Sequence, residues 1–326
     1  MAPPKQKAPK SGAFFALKML LMDFAELFAC ENSTVEQGAR GVLCATVLTF
    51  LYFYDKINSS KASKEIGMSY TGEYEFELDE HLGGYSAQLI VSCEELVFPS
   101  EHEGKRVVSV WADDCGASNR LLTKSVHIPE GILHLEGTLF ECFSNLEEIS
   151  IPASVELIEP TIFASCSSLK KITVDPRSKH FRVIGGNLYS RDRKRLIYVP
   201  GGSRTSIFEV PDFVRVIGRE AFAYSFVKSV ILPEGVAEIE ENAFFSASLL
   251  NEISLPYSLE KIDDFAFAYC KSLERIVIPE TVEKIGYDLF FECDEGLKVL
   301  CEAEGKMPYW DSGWAEGFEV FWGYRR

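Results

Sequence analysis

Prolines recur along this chain at a nearly fixed interval, and that interval restricts what the chain can fold into. Pro129 and Pro152 stand 23 residues apart. Pro233, Pro256 and Pro279 follow one another at 23, and Pro211 precedes Pro233 by 22. Other positions keep step with them. Counting from each proline, position +3 holds Ile132, Val155, Val214, Val236, Leu259 and Val282. Position +6 holds Leu135, Ile158, Ile217, Ile239, Ile262 and Ile285, and +11 holds Phe140, Phe163, Phe222, Phe244, Phe267 and Phe290. The unit reads P-x-x-V-x-x-I-x-x-x-x-F-x-x-C-x-x-L-x-x-I-x-I. A fixed period of this size marks a solenoid, in which one unit cannot bury its own apolar side and stacking supplies the core.

The tail of the unit, L-x-x-I-x-I-P, alternates with period two and ends at a residue that removes a ladder donor, so it reads as a short strand. The front half, V-x-x-I-x-x-x-x-F, returns the chain through a turn and a helical or irregular arc. The expected fold is an α/β repeat solenoid with a parallel sheet on its concave face. Position +14 holds Cys166, Cys270 and Cys293, with Cys142 one place early. Small or apolar residues fill the same slot elsewhere, so these cysteines read as packing, in keeping with how free cysteine behaves in cores. Stacked strands aim their side chains the same way, which disfavours disulfides between adjacent units.

The pattern resembles the BspA-type leucine-rich repeat family over roughly residues 70–326. Three further stretches carry the resemblance. EYEFELDEHLGGYSAQLIVSCEELVFPSEHEGKRVVSV (73–110) is similar to the family's lead-in, FRVIGGNLYSRDRKRLIYVPGG (181–202) to the hairpin that interrupts such arrays, and CEAEGKMPYWDSGWAEGFEVFWGY (301–324) to the ending of many bacterial members. The match departs from the pattern in places. Pro99 to Pro129 is 30 residues, Asp175 replaces a proline, and the glycine after +6 survives only at Gly218 and Gly286. The resemblance implies a module for protein–protein interaction or adhesion, common in host-associated bacteria and protists, and not an enzyme.

The N-terminal part is of another kind. Residues 1–12 (MAPPKQKAPKSG) are basic and Pro-rich and are expected to be disordered. Residues 13–57 form an apolar segment expected to be helical, with Lys18, Asp23 and Glu26 along one arc of the first helix. Residues 58–69 read as a linker. The apolar run Val42–Tyr54 falls short of a membrane span unless Arg40 is buried with it. A soluble helical hairpin, membrane association through 13–54, and an export signal all remain open, with no convincing signal peptide. Nine cysteines without a C-x-x-C pair lean toward a reducing, intracellular compartment. The net charge of −16 disfavours nucleic acid.

Chemistry is sparse. The five histidines form no spaced ligand set, no G-x-S-x-G elbow occurs, and neither a metal nor a cofactor is expected. One charge anomaly stands out. The insertion 175–210 carries Arg177, Lys179, Arg182, Arg191, Arg193, Lys194, Arg195 and Arg204 against Asp192 between Pro176 and Ser206, a local +7. Its tip, RDRKR, is read as a hairpin end that protects an edge or docks an acidic partner, including another copy of this chain. Outward strand positions supply the other candidates: Glu148, Lys171, Glu252, Arg275 and Lys298 in row +19, and Ile231 and Val277 in row +21. Glu148 with Lys171, and Glu252 with Arg275, are expected to pair across the ladder. Ile231, Val277 and Leu300 mark a contact site unless the C-terminal segment covers them. That segment, 301–326, is rich in Trp and Phe and reads as a cap on the array in preference to a sugar site. A protein partner using the sheet face and the basic hairpin is thus the leading expectation. Assembly or membrane tethering through the N-terminal segment is the alternative, and a homo-oligomer fits either.

Overall fold

The computed structural model describes residues 71–112, 120–203 and 205–325. The segments 1–12, 13–57 and 58–69 of the sequence analysis lie outside the described residues. Each unit contributes two short strands, and each set stacks into its own parallel ladder. The first ladder is the expected one. Glu95–Val97, Ser125–His127, Glu148–Ile151 and Lys171–Val174 pair in order. Ile207–Glu209, Ser229–Ile231 and Glu252–Ser254 form a second group, and Arg275–Ile278, Lys298–Cys301 and Val320–Phe321 a third. The register is the sequence period made physical: Lys171 sits opposite Glu148 and Glu252 opposite Ser229, one unit apart.

The second ladder occupies what was expected to be a helical or irregular arc. Val216–Ile217, Glu238–Ile239, Lys261–Ile262 and Lys284–Ile285 pair in parallel at positions +5 and +6. Among the described residues there is no α-helix, only three short 3-10 turns, so the α/β expectation is corrected to an all-β repeat solenoid there. The reason lies in the backbone after +6. Positions +9 and +13 adopt left-handed φ: 55° and 56° at Glu220 and Tyr224, 57° and 52° at Asn242 and Ser246, 53° and 59° at Phe265 and Tyr269. A right-handed helix cannot hold such residues. They are kept there by bonds to the next unit. The amides of Asn242, Phe244 and Ser246 donate to the carbonyls of Asp264, Ala266 and Ala268 at 3.1, 2.8 and 2.9 Å. Each bond offsets part of the local strain.

The core runs between the ladders. The +11 phenylalanines are all buried and stack along the array, with Phe222–Phe244 at 4.8 Å and Phe244–Phe267 at 5.1 Å, near-parallel in both pairs. The insertion enters this stack. Phe181–Ile184, Asn187–Ser190 and Arg195–Tyr198 make an antiparallel meander, and its last strand pairs in parallel with Val216–Ile217, so it begins that stretch of the second ladder. Tyr198 stacks on Phe163 at 4.7 Å where the next phenylalanine would lie. At the far end Tyr309–Trp310 extends the second ladder and Val320–Phe321 the first. Trp310 and Trp314 are buried, and the Trp310 indole N–H donates to the Val282 carbonyl at 3.0 Å. The lead-in makes an antiparallel pair, Glu73–Asp79 with Gly84–Val91, which passes through Lys105–Ala112 to His134–Gly137.

Candidate interaction surface

The cysteine slot has a defined job. The thiols of Cys166, Cys270 and Cys293 donate to the carbonyls of Phe140, Phe244 and Phe267 in the preceding unit at 3.0, 3.2 and 3.1 Å. Burial pushes the Cys166 and Cys301 thiols up to about 12, Cys293 to about 11, and Cys270 well above its ordinary value. A nucleophilic cysteine needs a lowered pKa and access, and these have neither. The six described cysteines are free thiols. Tyr198 serves the same purpose at the insertion, its hydroxyl reaching the Phe163 carbonyl at 3.4 Å.

One polar cluster has the residue types of a hydrolase without the order. The Glu136 carboxylate accepts from the Ser109 hydroxyl at 2.7 Å and meets His134 Nδ1 at 3.2 Å. The carboxylate stands between serine and imidazole, so the imidazole does not meet the hydroxyl in the order of a Ser-His-Asp triad. Among the described residues no group of three His, Cys, Asp or Glu side chains is placed to hold a metal ion.

The candidate surface residues divide between the two ladders. On the first, Lys171 pairs with Glu148 at 2.7 Å as expected, and Ser150 and Thr173 share a hydrogen bond beside them at 2.7 Å. The Glu252–Arg275 pair does not form among the described residues. The hydrogen-bonded ladder stops at Glu252–Ser254 and restarts at Arg275–Ile278, and Arg275 registers with Lys298. Ile231 is 44% exposed, whereas Val277 and Leu300 are half-buried. The C-terminal segment does not fold over this row; Phe321 joins it beside Leu300.

The basic residues belong to the second ladder. Arg195 forms an ion pair with Glu240, and Arg193 lies over the Phe213 ring at 5.1 Å. Arg191 and Lys194 are exposed at the tip. The turn between them is fixed by Asp192, which accepts from the Ser190 hydroxyl at 2.6 Å and the Lys194 amide at 3.0 Å; these bonds hold its carboxyl below the usual range. The two candidate sets are therefore on different sheets.

Sequence reasoning missed a third feature. Tyr224, Phe245, Tyr269 and Phe291 form a row along the turns beyond the second ladder, with successive ring centroids 5.8, 5.1 and 5.5 Å apart. Its signal was present but slipped between positions +12 and +13 from unit to unit. Nearby, burial pushes the Glu220 carboxyl up to about 7, with the Glu241 and Glu141 charges adding to the effect and Arg219 opposing it.

The family model for the BspA type leucine rich repeat region matches in 6 copies over residues 118–204 and 201–300, together more than half of the chain. Among solved structures, a leucine-rich repeat protein from Eubacterium ventriosum aligns with a TM-score of 0.53 at 22% identity. The alignment covers 64% of this chain and 54% of that one, so the chain spans about half the length of that protein. The pneumococcal vaccine antigen PcpA aligns with a TM-score of 0.51 at 17% identity, covering 79% of this chain and 88% of that one. At these identities the likeness shows the fold alone. No curated protein matches the chain.

Proposed function

The chain belongs to the BspA-type leucine-rich repeat family, and from that premise we propose that it is a non-enzymatic protein–protein interaction module. Its partner docks on the first-ladder face around Ile231 and on the tip of the basic insertion. The observation that carries this reading is the tip itself. Arg191 and Lys194 project from a turn locked by Asp192, while the neighbouring Arg195 is spent on Glu240. A fixed pair of exposed cations on a chain of net charge −16 suits an acidic docking surface on another protein. The exposed Ile231 supplies apolar contact on the first-ladder face, as interface cores do. The reading is tested by crosslinking and quantitative partner identification with the full chain, Arg191→Glu/Lys194→Glu, and Ile231→Asp. A partner captured by the parent and lost from both variants supports it. An unchanged partner set refutes it.

A second reading rests on the apolar run within 13–54, which favours assembly or membrane tethering with the repeats displayed outward. Fractionation and mass measurement of the full chain beside a version starting at Ser69 separate the two. Pelleting or assembly of the full chain alone supports tethering. The free thiols of the six described cysteines favour a reducing compartment in either case.

A further inference from the structure

We propose that the aromatic row beyond the second ladder is a separate docking surface, and that it takes a lysine- or arginine-bearing segment of a partner protein. Four observations lead to this. The first is continuity. Tyr224, Phe245, Tyr269 and Phe291 follow one another along four units, and Phe265 and Tyr287 widen the row at its C-terminal end, 4.9 Å apart. Phe291 and Tyr287 are 43% and 44% exposed, and core packing does not account for rings so placed.

The second is ring geometry. Neighbouring planes in the row meet at 64°, 63° and 76°. Such a row offers alternating faces and edges, not the flat platform that a sugar ring stacks on. The exposed rings Phe291 and Tyr287 suit cationic side chains, which seek the negative face of an aromatic ring.

The third is charge. Glu241, Asp264, Asp288 and Glu292 border the row. The Tyr287 amide donates to the Asp264 carboxylate at 3.0 Å. The cations facing them are Arg219, paired with Glu241, and Lys271, paired with Glu292. Carboxylates outnumber cations there, and the net charge of −16 favours a basic partner.

The fourth is that the chain already shows the recognition it would use. Lys271 lies 5.7 Å from the centre of the Tyr269 ring and 3.2 Å from the Glu292 carboxylate. An ammonium held between a ring face and a carboxylate is the contact that a foreign lysine or arginine would repeat along the row.

The probe is a fluorescein-labelled arginine–serine repeat peptide, titrated against the full chain by anisotropy, with a glutamate–serine repeat as control. Binding by the arginine peptide alone, weakening with added salt, is expected. Any polycation is attracted to an acidic protein, so the deciding variants leave the charge unchanged. Phe291→Ala is expected to lower affinity about tenfold, as loss of a partly desolvated cation–π contact does. Tyr309→Ala, which removes a more exposed ring outside the row, is expected to change nothing. Lys271→Met, which vacates Tyr269, is expected to raise affinity more than Lys284→Met, which alters the charge equally from the second ladder. Arg191→Glu/Lys194→Glu is expected to leave this affinity in place, so failure here and failure of the function proposed above are distinguishable. If Phe291→Ala does not fold, Tyr287→Ala makes the same test. Equal affinity in Phe291→Ala and Tyr309→Ala overturns the proposal. So does salt-sensitive self-association that competes with the peptide and is abolished by Arg191→Glu/Lys194→Glu, which would give the row to a second copy.

Discussion

Ser225 stands in the slot that Cys166, Cys270 and Cys293 fill in other units, 1% exposed, and its hydroxyl has no hydrogen-bond partner. Each cysteine reaches the main-chain carbonyl of the phenylalanine one unit back. One unit back from Ser225 that place is taken by Val199 at the exit of the insertion, whose amide bonds the Ala221 carbonyl, and the shorter hydroxyl bonds no carbonyl there. Burying a hydroxyl without a partner costs about 1–3 kcal/mol. Ser225→Ala removes that cost and gives up the packing of one oxygen, worth under about 1 kcal/mol. Alanine fits the site: Ala247, fully buried, holds the same slot in the next unit. The variant should therefore be more stable by about 1 kcal/mol. Repeat arrays can leave two-state behaviour, so the assay is urea denaturation of the parent and the variant with the slope m compared as well as the midpoint. A higher midpoint at unchanged m is the expected result. A midpoint that stays put or falls refutes the reasoning, because it means that the hydroxyl is satisfied in solution.

Three further outcomes follow from the same packing. Phe267→Ala, which empties the middle of the stacked row, should lose about 3–5 kcal/mol in urea denaturation, and a loss below about 1 kcal/mol would contradict its place there. Cys270→Ala should keep partner binding while losing about 1–2 kcal/mol of stability, since it removes the bond to the Phe244 carbonyl and the packing of a buried sulfur; abolished binding with an intact fold would reopen a thiol function. Glu220 is raised from its ordinary 4.5 to about 7, so the native chain holds a proton there that the unfolded chain has released. That group's contribution is greatest below pH 4.5 and is lost as pH rises to about 7, so Glu220→Gln should be the more stable form at pH 8, by at most about 3 kcal/mol, and nearly equal at pH 4.5. Denaturation midpoints measured at both values check the sign.

The period, the buried rows and the antiparallel insertion were legible because each repeats a strong local signal. The phenylalanines from Phe140 to Phe290 each stand eleven residues past the proline of their unit, and the alternation of Glu148–Ile151 recurs unit after unit. The second ladder was not legible, because a two-residue strand such as Lys261–Ile262 is too short to show alternation. The left-handed positions were hidden for another reason. Glycine and asparagine advertise that conformation, but Glu220, Phe265 and Tyr269 adopt it without doing so. On the candidate surface, Glu148–Lys171 could be read from spacing alone. Glu252–Arg275 could not, since the break in hydrogen bonding between their strands leaves no trace in the repeat.

The insertion also governs how a disturbance travels through the array. The buried side chains fall into two clusters. Phe181, Leu188 and Tyr198 belong to the one before the insertion, and Tyr189, Leu196 and Val199 to the one after. Consecutive residues of a single meander are thus sewn alternately into two blocks. In a linear array each block feels only its neighbour, so the insertion carries much of the coupling between the halves. Loosening that link, by proteolysis at the exposed tip or by a truncation at Leu188 or Tyr189, should let the two halves melt separately, which denaturation followed in each half would check. The insertion that presents cations to the outside thus also ties together the two halves of the buried core.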